Sequence, residues 1–310
     1  MNRISVPLIV FCVSGELHLI YLNWSINSLL QQGYEKILVI VSSKKEQDIV
    51  HSWFPRLETA VVAASSGEYP AFSHKPFALS EWVDRGGARQ LDGPIVICDA
   101  DILWKADPTT LFRRFVGQCW VHKITAVDPN DYNIPIEKVP KSNIGLRTIL
   151  NYGMRKRILR YPNFIVNAGL FMLEKNSFIC MLETWMEKIL MLPPREMLMS
   201  EALMSLTYAE MGLAPASDEV DIKHLNKQQS KSSSHPILSF IGARAGSVSD
   251  KSGYEVATHY YGDQRARLHE DAVTLAFDPN GLSAQAIRLQ SWNRWKKRVA
   301  LLRSSLRFTA

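Results

Sequence analysis

The chain has 310 residues, 46% of them hydrophobic and 21% charged, the proportions of an ordinary soluble globular protein with length enough for a well-buried core. Four cysteines (Cys12, Cys98, Cys119 and Cys180) lie far apart with no Cys-x-x-Cys spacing, which argues against a zinc site or a disulfide framework and for small buried hydrophobes in a reducing compartment. The net charge of +6 is local. No acidic residue follows Asp278, whereas Arg288, Arg294, Lys296, Lys297, Arg298, Arg303 and Arg307 do, and taking those seven charges away leaves the rest of the chain one negative charge.

The amino terminus imitates a signal peptide, with Arg3 ahead of the apolar run Val6–Val13. That run is short and contains Pro7, and it is followed by a helical pattern over Leu17–Leu30 and a second strand-like run over Lys36–Val41. A strand–helix–strand opening accounts for all three pieces. No stretch approaches the ~20 apolar residues of a membrane span, and the cytoplasm is the expected location. Strand-like runs then continue at Thr59–Ala63, Pro94–Cys98 and Cys119–Ala126, with helical patterns at 17–32, 44–53, 75–86 and 107–116 between them. This alternation predicts an α/β fold with a mainly parallel sheet flanked by helices.

From Asp128 to Asn163 the texture changes, with Pro129, Pro135, Pro140 and Pro162 as punctuation and Arg155-Lys156-Arg157 and Arg160 as a basic run. A lid or acceptor loop and a solvated helical insertion are equally good readings. A strand pattern returns over Asn163–Leu173, followed by helices over Ser177–Leu192 and Met197–Met211. Residues 218–235, rich in Ser, Lys and Gln, predict a mobile loop.

The most informative segment is Pro94-Ile-Val-Ile-Cys-Asp-Ala-Asp101, an apolar run ending in two carboxylates one residue apart. The run is that of a strand buried on both faces. Ionised Asp99 and Asp101 at its end are costly without a cation or donors to receive them. Side chains at i and i+2 of a strand point the same way, so two hard oxygen ligands can converge on one ion, and Mg²⁺ or Mn²⁺ suits them better than zinc. Open α/β sheets place ligands at this carboxyl end.

Four further segments each have an innocent explanation alone: Lys75-Pro76 opening a helix, Asn167-Ala168-Gly169 after Phe164-Ile165-Val166, Glu201 on a helix, and His259 in His-Tyr-Tyr-Gly262. Their order is less easily dismissed: Asp-x-Asp, Asn-Ala-Gly, a helical acid, then His-x-x-Gly-x-x-basic. In this the chain resembles the nucleotide-sugar-dependent glycosyltransferases of the GT-A (Rossmann-like) fold, most closely the retaining family of bacterial lipopolysaccharide galactosyltransferases and glycogenin. The resemblance runs from about Pro7 to Arg267. It implies that Asp99, Asp101 and His259 hold Mn²⁺ or Mg²⁺, with Asp99 also touching the donor ribose. It further implies that Cys12 and Ser14 border the nucleotide base, that Lys75 stands near the nucleotide, and that Asn167 lines the donor sugar. The family's segment His-x-x-Gly-x-x-Lys-Pro keeps Gly262 here but has Arg265-Ala266 for Lys-Pro. Arginine keeps the charge that grips a diphosphate while changing the geometry.

The resemblance implies a metal-dependent transferase moving a sugar from a nucleoside-diphosphate sugar, a UDP-sugar above all, to a glycan or lipid-linked acceptor such as lipopolysaccharide. One departure bears on stereochemistry. Where the family reads Asp-Gln on the helix, this chain reads Glu201-Ala202. Alanine supplies neither dipole nor nucleophile, which leaves retention, the family's outcome, beside inversion with Glu201 as general base. A nucleotidyltransferase, or a binding protein for sugar nucleotides without catalysis, are the alternatives. Against the former, Val13-Ser14-Gly15-Glu16-Leu17 has one glycine and no neighbouring cation after the first strand.

The catalytic domain is expected over residues 1–278 and a basic amphipathic helix over 279–310. There Trp292, Trp295, Val299, Leu302 and Leu306 form one apolar stripe among basic residues. Such a helix suits an anionic membrane surface and peripheral attachment to its inner face. A terminal helix docked on the domain is the plainer reading, and nucleic acid is disfavoured because the rest of the chain is slightly acidic.

Overall fold

The computed structural model describes residues 6–240 except 64–66, 70–72, 90–92, 101, 105–106, 114–118, 122–123, 218–221 and 226–236. Asp101, His259, Gly262, Arg265 and the predicted tail helix therefore lie outside the described residues, as does the boundary at 278/279.

The chain opens with β1 (Leu8–Val13), α1 (Glu16–Gln31), β2 (Ile37–Val41), α2 (Lys44–Trp53), β3 (Glu58–Val61), α3 (His74–Asp84) and β4 (Ile95–Cys98). It continues through β5 (Ile102–Trp104), α4 (Pro108–Arg113), β6 (Trp120–Val121), β7 (Ile124–Ala126), α5 (Ile144–Gly153), β8 (Phe164–Val166) and β9 (Leu170–Leu173). The last elements are α6 (Lys175–Met191), α7 (Ser200–Glu210), β10 (Ala216–Ser217), β11 (Ile222–Leu225) and β12 (Ile237–Phe240).

Seven strands form the main sheet in the order β10-β6-β9-β4-β1-β2-β3, with β4 at its centre. The pairs β1–β2, β1–β4 and β2–β3 are parallel, and β9 runs antiparallel to both its neighbours. This is the α/β fold the alternation predicts. The sequences of the central strands, Leu-Ile-Val-Phe-Cys-Val, Ile-Leu-Val-Ile-Val and Ile-Val-Ile-Cys, show why they sit there, since a strand covered on both faces has no place for polar alternation. Ile9, Phe11, Val39, Val41, Val96 and Cys98 face one layer, with Leu22, Ile26 and Leu29 of α1 and Trp53 of α2. Leu8, Val10, Leu38, Ile40, Ile95 and Ile97 face the other, with Leu79 and Trp82 of α3, Trp185 of α6 and Leu203 of α7. Each such large side chain stabilises the fold by about 1.5–3 kcal/mol relative to exposure.

Two predicted strands are each split. Cys119–Ala126 becomes β6 in the main sheet and β7 in a separate two-stranded sheet with β8, and Asn163–Leu173 becomes β8 and β9 with a bend at Asn167–Gly169. Ile222–Leu225, inside the segment predicted as a loop, pairs as β11 with β12. The texture change after Asp128 is a helical insertion with a small core of its own. There Tyr132, Val139, Leu146, Ile149 and Leu150 pack with Ala202 of α7. No helix among the described residues is long and apolar enough to cross a membrane.

Candidate active site

Asp99 follows directly on β4, and its backbone N–H donates to the carbonyl of Gly169 at 2.6 Å. That bond extends the antiparallel ladder past the Cys98–Leu170 pair and holds the Asn167–Gly169 bend beside the acid. Within the bend, the Gly169 N–H donates to Asn167 Oδ1 at 2.7 Å, the local turn that asparagine favours. A Cβ on Gly169 would stand 2.7 Å from Asn167 Oδ1 and 2.9 Å from Asp99 Oδ2, so two oxygens close on one bare Cα and only glycine fits between them.

Lys75 enters from the first turn of α3. A cation there opposes the helix dipole, and what holds it is the site itself. Its ammonium donates to Asp99 Oδ1 and, at 2.8 Å, to the carbonyl of Ala168. The two side chains remain 15% and 18% exposed, so the pair is still in contact with solvent. Cys12, near the end of β1, is close enough to feel both charges. Burial pushes its thiol up to about 12, with Lys75 pulling down and Asp99 pushing up, so at neutral pH it is a thiol and no nucleophile. The structure thus brings Cys12, Lys75, Asp99 and Asn167 together at the carboxyl ends of β1 and β4, the adjacent central strands.

Ser14 stands one residue beyond β1, where its hydroxyl donates to Ser42 Oγ at 3.2 Å. The same loop is tied by Glu46 of α2. One carboxylate oxygen accepts from the N–H of Gly15 at 2.8 Å, and the other accepts from the N–H and hydroxyl of Ser42 at 2.8 and 2.6 Å. Gly15 has φ of +93°, a conformation that glycine alone adopts readily. Sequence reasoning passed over Glu46, although its signal was present. Ser43-x-x-Glu46 is a helix-capping pattern, and Ser43 does accept from the Glu46 N–H.

Glu201 is buried in the first turn of α7, with the Ser200 hydroxyl 3.4 Å from Oε2. Its carbonyl accepts from Ser205 Oγ at 2.7 Å, and that oxygen accepts from the Val166 N–H at 2.9 Å, which ties α7 to the strand leading into Asn167. Ala202 is fully buried in the core of the insertion.

Of the three predicted metal ligands only Asp99 is described, and among the described residues no group of three His, Cys, Asp or Glu side chains forms. Asp99 contributes one hard carboxylate, the oxygen type that suits Mg²⁺ or Mn²⁺, while Asn167 Oδ1 is already engaged by the Gly169 N–H.

No protein-family model and no curated protein matches the sequence. Among solved structures the chain is similar to the bifunctional glycosyltransferase WbbM in its apo form, at a TM-score of 0.49 and 11% identity over 86% of this chain and 53% of that one. It therefore spans about half the length of WbbM. It is also similar to the galactosyltransferase LgtC in complex with donor and acceptor sugar analogues (TM-score 0.47, 12% identity, 80% of this chain and 94% of that one). A third is mouse xyloside xylosyltransferase 1 in its apo form (TM-score 0.40, 10% identity, 75% and 97%).

Proposed function

We propose that the chain is a metal-dependent glycosyltransferase that moves a sugar, with retention, from a UDP-sugar to a glycan or lipid-linked acceptor such as lipopolysaccharide. The observation that carries this reading is the meeting of Lys75, Asp99 and the Asn167–Gly169 bend at the carboxyl end of the central strand. These residues come from three distant segments in the order that the sequence resemblance requires.

A nucleoside diphosphate departs only if the negative charge it gathers is balanced. Asp99, with Asp101 and His259, would hold a divalent ion whose contribution is that neutralisation. Lys75 stands at the same end, and Arg265, by the resemblance, would grip the diphosphate; preorganised groups of this kind act without reorganising during the reaction. Asn167 orients the donor sugar by hydrogen bonding, Glu201 holds its hydroxyls, and the Cys12–Ser14 loop, fixed by Glu46, borders the base.

A specific observation favours a second reading. Ala202 is spent on core packing, so the position that carries glutamine in the resembled family presents no polar group. On that reading the chain binds a sugar nucleotide without turning it over. Incubation with Mn²⁺ and a panel of nucleotide sugars, read as donor hydrolysis, separates the two. The first reading expects slow hydrolysis of one donor and a rise in melting temperature with the matching diphosphate. At 100 times its Kd a ligand adds about 2.7 kcal/mol to the folded state. A melting shift without hydrolysis supports the second reading, and neither effect with any nucleotide defeats both.

A further inference from the structure

We propose that residues 154–161, the loop between α5 and β8, form a docking surface for an anionic lipid bilayer. Leu159 is 79% exposed, Met154 66% and Tyr161 42%. Single exposed hydrophobics are ordinary, but here three large ones occur within eight residues, on a loop that is firmly held. Arg155 makes a two-pronged pair with Glu196, at 3.1 Å from Nε to Oε2 and 2.9 Å from Nη2 to Oε1. The Leu159 N–H donates to Glu210 Oε1 at 3.3 Å. The Tyr161 ring stacks on Tyr132 with centroids 4.5 Å apart, and Tyr132 Oη donates to the carbonyl of Pro162 at 2.6 Å. Ile158 turns inward against the core, and a Cβ on Gly153 would stand 3.2 Å from its Cδ1 and 3.5 Å from Tyr161 Oη, so the loop closes on itself. The outward direction of Leu159 and Met154 is therefore built in.

Charge selects the occupant. Lys156, Arg157 and Arg160 are exposed with no side-chain partner among the described residues, and 154–161 contains no acid. Arg155 is neutralised by Glu196. Three free cations interleaved with Met, Leu and Tyr match a bilayer, whose anionic headgroups take the charges and whose interface takes the apolar groups. Leucine and methionine offer no stacking platform, which disfavours single-stranded nucleic acid. The basic segment after Asp278 is repelled by the same charges. Five residues separate Tyr161 from Asn167, at most about 20 Å of chain, so a docked bilayer lies within reach of the candidate site. The inference rests on the exposed loop alone and not on the sugar-transfer reading, and its test needs no donor.

The test is sedimentation of the full chain with phosphatidylglycerol–phosphatidylcholine vesicles against phosphatidylcholine alone. The wild type is expected to pellet with the anionic vesicles only. Replacing Lys156, Arg157 and Arg160 together by Gln should lower the partition coefficient on the order of 100-fold, and Leu159→Ser should lower it roughly 10-fold. Melting temperatures should stay at the wild-type value because these side chains are in solvent. Binding unchanged in both variants, no preference for anionic lipid, or a loss with the charge variant that Leu159→Ser does not share each overturns the proposal.

Discussion

Two lysine–carboxylate pairs sit in this molecule and do different work. Lys188 of α6 and Glu210 of α7 meet at 2.5 Å with side chains only 5% and 14% exposed. The ammonium lies 5.3 Å from the centroid of the Tyr152 ring, and the second oxygen of Glu210 is taken by the Leu159 N–H. Together these contacts link α5, α6, α7 and the loop after α5. Lys75 and Asp99 are likewise in contact, but at the end of a parallel strand, beside a glycine that keeps side-chain bulk away from the carboxylate. The two pairs differ in what surrounds them, a strand end with a glycine bend in one case and packed helices in the other.

Removing a single partner from each pair tells the two apart. Lys188→Ala leaves the half-buried Glu210 without its cation, which should cost about 3 kcal/mol in urea unfolding. Any effect on donor turnover should follow from the unfolded fraction alone. Asp99→Asn should do the reverse, lowering donor turnover by about 10²–10³-fold while the urea midpoint moves little. Lys75 then keeps its bond to the Ala168 carbonyl. Wild-type turnover in Asp99→Asn, or turnover lost and stability kept in Lys188→Ala, reverses the assignment of the two pairs. Gly169→Ala is the finer probe. Its methyl meets Asn167 Oδ1 and Asp99 Oδ2 inside normal contact, so a loss of about 1–3 kcal/mol is expected together with reduced turnover.

The central strands and the helices between them were legible because burial on both faces writes itself as an unbroken apolar run, and α2 begins and ends where its pattern does. The Lys75–Asp99–Asn167 meeting was legible only through the order of motifs, since nothing local in Lys75-Pro76 tells of an acid 24 residues on. The small residues of Asn167-Ala168-Gly169 hinted at the bend there, but the division of Cys119–Ala126 into β6 and β7 was not legible. A change of sheet needs only a bend between apolar residues, and periodicity registers each run as one strand. Glu46 was overlooked because a helix-capping pattern accounts for it locally, whereas its carboxylate serves a loop 31 residues away.

That carboxylate has one more effect. In phosphate-gripping loops the first turn after the leading strand is left with bare amide hydrogens, and an incoming anion settles there. Here the Gly15 amide at the mouth of α1 already faces a resident negative group, so this helix start is closed to an incoming anion and serves to hold its loop. What elsewhere is a berth for a guest is here a fastening between the β1–α1 turn and α2.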